Sequence, residues 1–265
     1  MSPRLVPQIV ADTSSDHSGH LDALFEGEEE LGRCLAMALG VGNRLGGWPH
    51  ARSDDPGGTP IALYRLPLHE LVALVVAIDP SNDPPLVLDA WPDVTPLQPQ
   101  PHAVEVLRVH RWPDQWQARI EHRIGRGGSG QTLQVLATDY ALEQKAYDLG
   151  MVEHLDYSAL AYDLRTVPPE QAPAGPALLP AWQVDGTRAP PDEQYVQGRI
   201  LRTLPLPTLG ERLWLLEVEV PLVGLLTVVA HRGNLVGTPR SGEWLFGLLW
   251  LSARRAGQAW APWQG

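Results

Sequence analysis

The chain carries one cysteine, Cys34, among 265 residues. A single thiol excludes an internal disulfide and a cysteine-built zinc site. No apolar run reaches the ~18 residues that a membrane-spanning helix needs. The densest one, 242–252, is far too short. The first residues contain no continuous apolar stretch, so no signal peptide is expected. Basic residues are outnumbered 20 to 31, a formal net charge of −11, which works against a large phosphate-binding surface. Nucleophile elbow, paired-histidine zinc motif, P-loop and Rossmann glycine signature are all missing. An enzyme would therefore have to build its site without a local motif. These absences lead us to expect a cytoplasmic protein with no cofactor, no bound metal and no membrane partner.

What is abundant points to strands and turns. Twenty-six prolines and 25 glycines imply many short elements. Ten tryptophans stand against two phenylalanines. Tryptophan fills cores but also anchors interfaces and sugar-stacking platforms.

The chain is organised around 211–255, where three apolar runs are separated by Gly- and Pro-bearing turns. In 213–220 the residues alternate, and Glu217 and Glu219 mark one face as solvated at its far end. The run 242–252 is apolar on both faces, so both should be covered, and Trp250 should be buried. An earlier stretch echoes these runs. Ile120–Ile124 sets against Leu216–Val220, 132–137 against 225–230, and Gly150 opens a third run as Gly242 does. This pattern predicts an internal duplication with Leu133 on Leu226 and Val135 on Val228.

Around these runs the reading is a polar tail over 1–20, then an N-terminal helix and first β unit over 21–167. A proline-rich linker over 168–194 precedes a second β unit with a tryptophan-bearing tail over 195–265. The helix rests on Leu24, Leu31, Leu35 and Leu39, with Gly27 weakening its first turns so that it starts nearer Glu28. Residues 43–60 read as a loop and 139–150 as a polar excursion. The fold class is mainly β: a helix plus two small barrel-like or sandwich-like units.

Histidines supply the candidate chemistry. His102, His110 and His122 fall in or near one predicted hairpin, 103–124, where Glu121 or Asp139 could join them as an acid–base or metal cluster. On the same hairpin Arg119, Glu121 and Arg123 are expected to face out. His20 belongs to the one close histidine pair, read as a polar tail entering a helix. Trp260 and Trp263 on the tail, with Trp112, are candidate partner-binding residues, since apolar rings on a terminus fold back or bind something.

Strand runs with a broken middle, ending in an apolar strand, resemble the organisation of OB-type small barrels over 103–164 and 195–255. That resemblance implies an assembly module or a binder of single-stranded nucleic acid or sugar. The charge disfavours nucleic acid. Our leading expectation is a non-catalytic protein-interaction or assembly module. The alternatives are an OB-like binder of single-stranded nucleic acid or glycan, and a hydrolase-like or metal-dependent enzyme around His110 and His122.

Overall fold

The computed structural model describes residues 6–12, 18–25, 27–41, 43–48, 61–112, 116–124, 130–185, 189–206 and 213–257. Strand exceeds helix, 55% to 17%. In chain order come β1 (Gln8–Ala11), a 3-10 turn (Ser18–Ala23), α1 (Glu28–Val41), β2 (Asn43–Trp48), β3 (Ile61–Pro67), β4 (Val72–Asp79) and β5 (Leu86–Val94). Then follow β6 (His102–Arg111), β7 (Ala118–Ile124), β8 (Thr132–Ala137), α2 (Tyr140–Asp148) and β9 (His154–Val167). The rest is β10 (Leu178–Pro180), α3 (Ala181–Asp185), β11 (Glu193–Leu206), β12 (Leu213–Val220), β13 (Gly224–His231), β14 (Leu235–Val236) and β15 (Trp244–Arg255).

β2 to β5 form an antiparallel sheet in sequence order. The other strands make one large mixed sheet, and its pairings close on themselves twice. In the first circuit β6, β7 and β8 form an antiparallel meander. β8 then runs parallel to β15, β15 pairs antiparallel with β9, and β9 returns to β6. In the second, β11, β12 and β13 form the meander, β13 runs parallel to β9, and β15 returns to β11. The two circuits therefore share the β9–β15 ribbon, with exchanged roles.

The hydrogen-bond register repeats between the circuits. The row Val106, His122, Leu133 of the first matches Ile200, Val218, Leu226 of the second. Val135 opposes Ile120 as Val228 opposes Leu216. A bulge falls between Val106 and Arg108 and again between Ile200 and Arg202. Each bulge surrounds the same dipeptide, Leu107-Arg108 and Leu201-Arg202. Gly150 and Gly242, each with positive φ, sit before the fourth strand of their circuits. Pairs predicted from the sequence echo are thus the pairs found in the ladder.

Alternation on the shared ribbon separates two cores. Leu155, Tyr157, Ala159 and Ala161 of β9 join Leu245, Leu249, Leu251 and Ala253 of β15 in the core of the two circuits. Leu160 and Trp250 point the other way, into a second core against β3, β4, β5 and α1. β4 is buried along its whole length, as a central strand covered on both faces must be.

Several expectations need correction. Within the predicted polar tail, Gln8–Ala11 pairs in parallel with Arg108–Arg111, because the C-terminal half of β6 leaves that edge open beyond its contact with β9. In the predicted loop, 43–48 is a strand on β3. The 139–150 excursion, expected to form one helical turn, holds the nine-residue α2. The predicted helix does start at Glu28, with a separate 3-10 turn over Ser18–Ala23 ahead of it. Trp250 is 1% exposed as expected, but in the layer beneath the ribbon rather than inside the second unit. Glu217 is buried, because the chain after β5 crosses that face: Leu97 N donates to Thr227 Oγ1 on the neighbouring strand. Arg119 is also buried. It donates to Asp12 and, at 3.4 Å, to Asp192, which takes the Trp250 indole N–H at 2.7 Å. His20 stacks on Trp250 with ring centroids 4.0 Å apart and bonds Tyr162.

Candidate functional site

The pleat decides the fate of the histidine cluster, because successive side chains on a strand point to opposite faces. Glu121 lies outside the first circuit, where it takes Arg108 at 3.0 Å and lies 3.4 Å from His110 Nε2. His122, the next residue, points inward and is fully buried, with Nε2 2.6 Å from the Tyr157 hydroxyl. Burial pushes the His122 pKa down to about 4, against a backbone hydrogen bond at Ile120 that favours the cation. Tyr157 also meets His102, with ring centroids 5.3 Å apart.

Asp139 serves α2 instead. It takes the Tyr147 hydroxyl at 2.7 Å and the Arg255 backbone N–H at 2.9 Å. Burial raises its pKa to about 6, and these hydrogen bonds oppose the shift. The structure thus joins His110 to Glu121 and His122 to Tyr157, in separate places, and holds Asp139 at the helix. Among the described residues no three His, Cys, Asp or Glu side chains converge as a metal site. Trp112 is 4% exposed, with the Arg119 guanidinium 5.5 Å over its ring, so it faces the second core rather than a partner. Trp260 and Trp263 lie outside the described residues.

A cleft of about 910 Å³ opens elsewhere, on the second circuit. Trp244 begins β15 and sits beside Arg199 of β11 in the ladder. Arg199 pairs in turn with Glu219 of β12 at 2.9 Å. Pro221 and Leu222, in the β12–β13 turn, line the cleft with His102 and Pro169. The turn is closed by Val223 N donating to Val220 O at 3.2 Å. Pro221 supplies the fixed φ of its second position, and Leu222 takes φ +79 at the third. Burial pushes the His102 pKa down, with Asp156 pulling the other way, so its ring is neutral at pH 7. The lining offers one aromatic plate, aliphatic and proline surface, and two charges already joined to each other.

Our reading of the sequence did not find this cleft. Its one local signal is Pro221-Leu222, a turn with a bulky residue where glycine is usual. The remaining wall comes from strands distant in sequence. The chain matches no family model, no curated protein and no solved structure in comparison with each.

Proposed function

We propose that this protein is a non-catalytic interaction module that seats a segment of a partner protein in the cleft between Trp244 and the β12–β13 turn. The observation carrying this reading is the lining itself, a concave and mainly apolar wall with a few fixed polar groups, the usual make-up of a binding site. His122, Tyr157, Asp139 and Tyr147, whose titration burial shifts strongly, are engaged with one another in core contacts, and none of the four lines the cleft. Among the described residues no helix is long and apolar enough to cross a membrane. The lone, buried Cys34 is compatible with a reducing cytoplasm.

One observation favours a second reading. A meander of three strands, closed through a parallel pair and a fourth strand, is the layout of OB-type barrels. Such barrels bind single-stranded nucleic acid or glycans as well as proteins. Affinity capture from the native cell separates the readings, with protein and nucleic acid both recovered and a Trp244→Ala variant run alongside. A protein held by the parent and lost by Trp244→Ala supports the module. Nucleic acid or oligosaccharide held instead, and lost by the same variant, moves the assignment to the OB-like binder.

A further inference from the structure

Leu222 combines two unfavourable features. An L-residue at positive φ crowds its Cβ against the following carbonyl oxygen, which is why glycine normally fills this turn position. Its side chain is also 63% exposed, so no core contact offsets that cost. The turn cannot relax by sliding. Its next residue, Val223, is 1% exposed and fixed in the core. Beyond it Gly224 has φ +74 and lies so close to His102 that a Cβ there would fall 2.7 Å from Cε1 of the ring. Pro221 fixes the near side. An apolar side chain held at a costly backbone conformation on the wall of a cleft is the pattern expected of a contact kept for the bound state.

The chemistry of the occupant follows from the wall. Arg199 and Glu219 pair at 2.9 Å, so together they add no net charge to the wall. The formal charge of −11 repels polyanions at long range. What remains is Trp244 with Pro169, Pro221, Leu222 and the imidazole of His102, a surface suited to an extended, uncharged segment of proline and aliphatic residues. Resting on the cleft reading above, we propose that Leu222 is the specificity-determining residue of the cleft, selecting an uncharged, proline- and aliphatic-containing peptide segment of a partner protein.

Random peptides displayed on phage, selected on the full chain and then synthesised, test this by fluorescence polarisation. The expected result is enrichment of uncharged sequences with proline and aliphatic residues. These should bind Leu222→Gly at least about tenfold more weakly than the parent. Leu222→Gly should melt no lower than the parent, because glycine relieves the turn; Leu222→Ala should bind as weakly and melt below Leu222→Gly. Equal affinity for Leu222→Gly alongside loss in Trp244→Ala would overturn the role of Leu222 and leave the cleft reading standing. Equal affinity for both variants, or no enriched peptide, would overturn both. Enrichment of charged peptides, or a Leu222→Gly chain that unfolds, would also overturn the proposal.

Discussion

The two circuits have one ladder and two fillings. Where the first places His122 against Tyr157, the corresponding positions in the second are Val218 and Leu249, both apolar and buried. Arg119, ion-paired with Asp12 and Asp192, corresponds to Leu215 in the second core. Val104 corresponds to Gly198. Even the surface pair is reversed: Glu105 with Arg123 at 2.6 Å in one circuit, Arg199 with Glu219 at 2.9 Å in the other. The two circuits therefore share a backbone register but not their side chains, and the first holds polar groups where the second is apolar. The lesson is that register, bulge and turn define this architecture, and the side chains decide what each half does with it. The cleft is built on the apolar half.

The largest test of this comparison uses the shared ribbon. Trp250 of β15 corresponds to Ser158 of β9, and both are buried. Trp250→Ala removes a large side chain and its N–H bond to Asp192, and should cost about 3–5 kcal/mol in urea unfolding. Ser158→Ala loses one hydroxyl contact with Ser252 at 2.8 Å and should cost about 1 kcal/mol. A reversed order would mean that the layer beneath the ribbon does not hold the two halves together.

Next comes pH. His122 has its folded pKa lowered from 6.5 to about 4, so the stability it permits is complete above pH 6.5 and is lost as pH falls toward 4. Asp139 is raised from 3.8 to about 6, so its effect runs the opposite way, stability being lost as pH rises through that window. The two slopes oppose one another in the parent. The double variant His122→Val with Tyr157→Leu gives the first circuit the filling of the second. Relative to the parent it should gain about 3 kcal/mol between pH 6.5 and pH 4. At neutral pH the double variant should be close to the parent, whereas His122→Val alone strands a buried tyrosine hydroxyl and costs about 1–3 kcal/mol. Parallel pH profiles for parent and double variant would show that the histidine does not titrate as its burial demands.

Gly198 gives the third test. A Cβ there would lie 2.6 Å from Val218 Cγ1 and 2.7 Å from the Glu219 carbonyl oxygen. Gly198→Val reproduces the first circuit at that position but overpacks the second, for about 1–3 kcal/mol by thermal unfolding. A neutral result would mean that the two ladders are closer in side-chain space than their packing suggests.

Much of this architecture was legible because strand alternation is local. The β6–β7 hairpin, the β12–β13 pair and the echo that sets Leu133 on Leu226 all follow from period-two patterns and turn residues. The sharing of β9 and β15 was not legible, since it joins strands nearly a hundred residues apart and leaves no local mark. Alternation also misled at Arg119 and Glu217. It says that two residues share a face, but not that a further layer covers it. Residues 43–60 read as a loop partly because of Gly46-Gly47, yet β2 absorbs these glycines beside a bulge. The histidine candidates failed for the same reason that the hairpin succeeded: adjacent residues Glu121 and His122 must point apart. The cleft combines Pro169, Arg199, Glu219 and Trp244, which only the fold assembles.

The smallest effect is the most specific test of correspondence. Glu105–Arg123 and Arg199–Glu219 occupy the same two ladder positions with opposite polarity, and all four side chains are partly exposed. Exposed ion pairs are worth up to about 1 kcal/mol, so exchanging both partners should leave stability nearly unchanged. The double variant Glu105→Arg with Arg123→Glu should melt with the parent. Arg123→Glu alone sets two carboxylates, its own and that of Glu105, against each other across the ladder and should lose a fraction of a kcal/mol, less at high salt. In a double-mutant cycle the coupling should be equal in sign and similar in size to that of Arg199 with Glu219. If the exchange in the first circuit costs far more than the single reversal, the surroundings of the two pairs differ, and the correspondence ends at the backbone. If the coupling matches, the repeat extends to the electrostatics of the surface, and what separates the halves is confined to their interiors and to the β12–β13 turn that carries Leu222.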